Sequence, residues 1–121
     1  MGIKLIKIAV VYFLIGISLG LYMSVTHKFV LSTVHVHMNL LGWVSLAIAG
    51  ILYLLFPHLP LTSAAKAHFW LHNIGLPLMM IGLIFVVYGN HAFIPVTAIG
   101  GTLIVIAVII FTINVLQHLK E

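Results

Sequence analysis

Four long apolar stretches follow one another along the chain, with short polar breaks between them. They cover residues 5–26, 31–56, 67–88 and 93–116. Each is near the roughly 20 residues an α-helix needs to cross a bilayer core. Thr26-His27-Lys28 closes the first stretch. Pro57-His58-Leu59-Pro60 and then Thr62-Ser63 separate the second from the third, and Gly89-Asn90-His91 makes a tight turn before the fourth. Such proline, glycine and asparagine clusters punctuate helices. The pattern predicts an all-α membrane protein, with residues 1–121 forming a single four-helix transmembrane domain. Lys4 and Lys7 precede the first stretch as they would in a signal peptide. The apolar run is too long for one and no small-residue cleavage site follows, so a retained span is expected.

Composition agrees with this reading. Of the 121 residues, 64% are hydrophobic and 5% charged, against about 25% charged in soluble domains. A soluble fold of this size has no way to hide so much apolar surface, so the bilayer is the expected partner. There is no cysteine, which excludes disulfides, iron–sulfur clusters and thiolate chemistry. The formal +4 charge is spread over helix ends, so nucleic acid is not an expected partner.

Charge also predicts an orientation. The N-terminus, the loop 57–66 and the C-terminus fall on one side, with Lys4, Lys7, Lys66 and Lys120. The other side has only Lys28. The positive-inside rule makes the lysine-rich side cytoplasmic, with both termini inside, in a multi-pass protein of the cell (inner) membrane. Gly16 and Gly20 form a small-xxx-small pair on the first span, and Gly100-Gly101 offers another close helix approach. Pro77 removes one backbone donor from the third span and is expected to bend it.

Eight histidines stand out in so apolar a chain, because ionisable groups in or beside spans are costly and usually functional. Topology puts His27, His35, His37 and His91 toward the outer side. It puts His58, His68, His72 and His118 toward the cytoplasmic side. His27, His58, His91 and His118 lie at span ends, where an imidazole rests in the interface. His35 and His37 are two apart on a helix and so point about 200° apart. They do not share one ion without local unwinding. His68 and His72 are four apart and share a face, which makes them a possible metal-binding pair. Simple depth counting leaves about 15 Å between His37 and His72, at 1.5 Å per residue in a core about 30 Å thick. That argues against one iron held by both. Partners for His35 and His37 are then His27, His91 or another subunit. Asn39 and Trp43 follow one and two turns later as candidate supporting groups.

At these residues the chain resembles a known family. His35-Val36-His37-Met38-Asn39-Leu40-Leu41-Gly42-Trp43-Val44 is similar to the tenth helix of subunit I of haem–copper oxidases, closest to the cbb-type oxidases, nitric oxide reductases and NnrS-like proteins. Ala67-His68-Phe69-Trp70-Leu71 with Ile74-Gly75 resembles the start of the next helix in the cbb-type proteins. The resemblance covers roughly residues 33 to 88. It implies that one histidine of the His-Val-His motif ligates a high-spin haem and the other a low-spin haem, near the outer face. The family subunit has about three times as many helices, and this chain lacks the helices that carry the usual copper ligands. It also lacks the arginines that hold haem propionates, and Lys28 is the only outer cation.

The resemblance further implies an arrangement. The family subunit consists of three four-helix arcs about a pseudo-threefold axis, and this chain has the length of one arc. A homotrimer would rebuild the twelve-helix ring, with a homodimer as the alternative. The expected function is a small b-type cytochrome, binding haem b through His35 and His37 for electron transfer or diatomic gas binding. One alternative is a minimal nitric oxide or oxygen reductase, with copper or another second metal near His91 or His27. A second alternative is a haem- or metal-handling protein for oxidase assembly, using His68 and His72. The redox partner, quinone or otherwise, is not legible in the residues.

Overall fold

A computed structural model describes residues 1–119; Lys120, one of the lysines in the orientation count, and Glu121 lie outside the described residues. Helix α1 runs Gly2–Thr26. The second span, Ser32–Leu55, has three parts: α2 (Ser32–His37), a π-helical segment (Met38–Val44) and α3 (Ser45–Leu55). Helix α4 covers Ser63–Val87. Helix α5 covers Ile94–His118, preceded by a 3-10 turn at His91–Phe93. Four helices are therefore long and apolar enough to cross a membrane, as the hydropathy pattern predicts. Leu14, Val25 and Leu116 are among the many large apolar side chains left on the outside, a surface suited to hydrocarbon rather than water.

The starts of α1 and α4 and the end of α5 extend past the apolar runs, because helix formation follows backbone capping rather than hydropathy. Thr62 Oγ1 accepts from the Ala65 amide at 3.0 Å, an N-cap that starts α4 four residues before the expected boundary. His27 closes α1 in the left-handed conformation, with φ 54°. Gly89, with φ 95°, turns the chain between α4 and the His91 turn, and Asn90 Oδ1 accepts from the Ala92 amide at 3.2 Å. Pro95 falls in the first turn of α5, where its missing N–H has no partner to lose. Pro77 sits inside α4, whose helical span continues to Val87.

The helices make two antiparallel pairs. Helix α1 packs along the second span and α4 along α5, while α2 and the π segment join the pairs through α4. Among the described residues α1 makes no substantial contact with α5, so the helices form an open arc rather than a closed bundle. Lipid removes most of the hydrophobic drive between helices, and close fit replaces it. Gly100 shows this: a Cβ there would run into the Met79 backbone nitrogen and lie 2.7 Å from the Gly75 carbonyl. Gly101, by contrast, faces only the Met79 sulfur, 3.4 Å from its would-be Cβ. At the end holding the loop 57–62, Thr62 Oγ1 donates to Asn114 Oδ1 at 3.0 Å and His58 Nε2–H to the His118 carbonyl at 3.0 Å. These bonds tie that loop to the last turns of α5.

Candidate functional site

The π segment begins directly after His37. A π turn is wider than an α turn, and such segments are frequent at functional sites. Local groups stabilise this one. Asn39 Nδ2 donates to the His35 carbonyl at 2.9 Å. Ser45 Oγ donates to the Leu40 carbonyl at 2.7 Å, and the Ser45 amide reaches the same oxygen, five residues back. Gly42 lets the Tyr12 ring of α1 cross close to the backbone.

His35 turns toward α1. Its Nδ1 lies 2.7 Å from the Gly16 carbonyl, which accepts only, so Nδ1 carries the hydrogen and Nε2 holds the lone pair of the neutral ring. The 3.3 Å approach of Asn39 Nδ2 to that same Nδ1 brings two donors together and is not a hydrogen bond. Gly16 and Gly20 make room for this group. A Cβ on Gly16 would lie 2.6 Å from Asn39 Nδ2, and one on Gly20 would lie 2.8 Å from His35 Cε1. The small-xxx-small pair thus admits two polar side chains of the same chain. The supporting acceptor for His35 is Gly16, not Asn39, and Trp43 stacks on Phe13 with centroids 4.6 Å apart.

His37 turns the other way. Its Nδ1–H donates to the Thr33 carbonyl at 2.7 Å, again leaving Nε2 free. With Leu41, Met79, Gly101, Thr102 and Val105 it lines an apolar groove of 730 Å³ between the second span and α5, within the range of cofactor sites. His35 and His37 therefore face opposite ends of the arc, as their spacing requires, and neither is hydrogen-bonded to the other. His27 and His91 are both exposed, at the end of α1 and in the turn before α5.

His72 lies closer to the His-Val-His segment than depth counting suggests. Its Nε2–H donates to the carbonyl of Leu41 at 2.9 Å, four residues past His37 and so about 6 Å along the helix. The early start of α4 at Ser63 accounts for much of this, because His72 then sits deeper in the span. His72 is 1% exposed, and its Nδ1 has no hydrogen-bond partner. His68 stands one turn before it, its ring centroid 5.5 Å away, with Nδ1 3.0 Å from the Tyr53 hydroxyl. Spacing on the helix makes the His68–His72 pair legible. Tyr53 reaches it across the loop, which no local pattern shows. Among the described residues no three histidines, cysteines or acids come together as a metal cluster.

Comparison with protein-family models, with curated proteins and with solved structures yields no match.

Proposed function

We propose that the chain is a small membrane b-type cytochrome that holds haem b near one membrane face through His35 and His37, for electron transfer. One observation carries this reading. Each ring spends Nδ1–H on a backbone carbonyl, Gly16 or Thr33, and keeps Nε2 free. Metal-ligating histidines are oriented in this way, with the second nitrogen donating to a fixed acceptor. The groove beside His37 is apolar, as a porphyrin face requires, and Gly101 keeps its wall low. When bound, haem supplies a one-electron couple whose potential follows axial ligation and burial. The role of this chain is to fix both imidazoles, exclude water with Leu41, Met79 and Val105, and set the depth of the site.

In this reading the termini face the cytoplasm and the motif lies toward the outer leaflet of the inner membrane. The open arc supports a head-to-tail homotrimer. His35 looks toward the α1 end and His37 toward the α5 end, so a ring would bring unlike ends together and place one haem at each contact. Resemblance of the His-Val-His segment to haem–copper oxidase helices supports the same assignment.

The test is a reduced-minus-oxidised spectrum of the purified protein, with and without carbon monoxide, alongside native mass and haem-to-chain ratio. A b-type spectrum unmoved by carbon monoxide is expected, at one haem per chain in a trimer. A chain with no haem after expression in excess haem overturns the proposal, and a monomer with a full haem complement overturns the shared sites.

A further inference from the structure

We infer that His68 and His72 form a second site, separate from the His-Val-His segment, that binds a single Cu(I) ion. The two residues share one face of α4 at i and i+4. Each has one nitrogen already occupied: Nε2 of His72 by the Leu41 carbonyl, Nδ1 of His68 by the Tyr53 hydroxyl. The nitrogen left on His72, Nδ1, is sealed from water and has no partner. A buried polar atom without a partner calls for an explanation. The carbonyl of Leu41 only accepts, so Nε2 carries the hydrogen and Nδ1 of the neutral ring is a lone pair. A lone pair needs a hydrogen donor or a cation. Both residues line a cavity of 180 Å³ with Ser45, Ile48, Val108 and Phe111. The Ser45 hydroxyl is already donating to Leu40, and in the proposed site His68 Nδ1–H donates to the Tyr53 hydroxyl, so that Nε2 of His68 offers a second lone pair.

Ring separation fits one ion. With metal–nitrogen bonds of about 2.0 Å, each ring centroid stands about 3.2 Å from the metal. Centroids 5.5 Å apart are within the span of two imidazoles on one ion, which they would subtend at about 120°. Charge selects the ion. The sole carboxylate side chain in the sequence is Glu121 at the C-terminus, so none flanks this site within α3, α4 or α5. The cost of burying an uncompensated ion rises with the square of its charge, about fourfold from monovalent to divalent. Imidazole suits copper and zinc alike, and a site of two neutral rings without a counter-charge favours monovalent copper over Zn²⁺.

The test is anaerobic titration of the full-length protein in detergent with Cu(I), in competition with a chromophoric Cu(I) chelator, with Zn²⁺ titrated in parallel. One Cu(I) per chain is expected. His72→Ala and His68→Ala should each weaken it at least tenfold, and His68→Ala, whose ring is outside the His37 groove, should leave the absorbance of any bound haem unchanged. X-ray absorption of the Cu(I)-loaded wild type needs no variant and should show a nitrogen shell with imidazole scattering and no sulfur. Copper binding no greater than in the His68→Ala/His72→Ala double variant overturns the inference. So does a sulfur-containing shell, or Zn²⁺ held as tightly as Cu(I). The copper count is independent of haem content, so failure of the haem reading is read separately.

Discussion

His72 donates its Nε2–H to the carbonyl of Leu41 at 2.9 Å, and this bond joins α4 to the π segment that follows His37. It fixes the tautomer of His72. Like the Tyr53–His68 contact one turn away on α4, it couples the first helix pair to the second.

His35→Ala and His37→Ala should each sharply lower haem per chain, because each removes one free Nε2. The pyridine haemochrome of protein expressed with excess haem measures this. Retention of full haem by both variants would refute the site.

Gly20→Ala tests whether α1 positions His35. The added Cβ would lie 2.8 Å from the ring, which is anchored at Gly16 and has little room to yield. A loss of about 1–3 kcal/mol in detergent stability is expected, the usual cost of overpacking, together with reduced haem content. Unchanged haem would show that the close approach is incidental.

Gly100→Ala and Gly101→Ala make a matched pair. The first drives a methyl into the α4 backbone and should cost about 1–3 kcal/mol. The second meets only a movable thioether sulfur at 3.4 Å and should stay within about 0.5 kcal/mol of wild type. Thermal unfolding of both in one detergent decides it; equal loss would mean that α4 and α5 do not pack as described.

His118→Ala should leave haem untouched, since its ring bonds only the Asn114 carbonyl within its own helix, at 2.9 Å. Loss of haem in this variant would place the fourth span upside down relative to the His-Val-His segment.

Orientation can be read directly, because the chain has no cysteine of its own. In intact cells an impermeant thiol reagent should label Lys28→Cys and spare Lys4→Cys. The reverse pattern would invert the proposed topology and with it the side on which haem is held.

Hydropathy alone located four spans, since a bilayer demands long apolar runs whatever the packing. It placed their ends less well: Thr62 capping moves the start of α4 to Ser63, and caps depend on single side chains. The two-residue spacing of His35 and His37 already required opposed directions. The π segment escaped the periodicity, which assumes one α-helix throughout, although Asn39, Gly42 and Ser45 crowded into a single span were its visible trace.

What the sequence by itself determined was therefore the number of spans, the lack of thiol and carboxylate chemistry within them, and the divergence of the motif histidines. These follow from composition and from the fixed rotation per helical residue. Only the tertiary structure decided that Gly16 is the acceptor for His35, that Tyr53 meets His68, and that His72 reaches Leu41. Those contacts arise where helices distant in sequence meet, and the angle and depth of that meeting are set by small residues packing together, not by any local pattern.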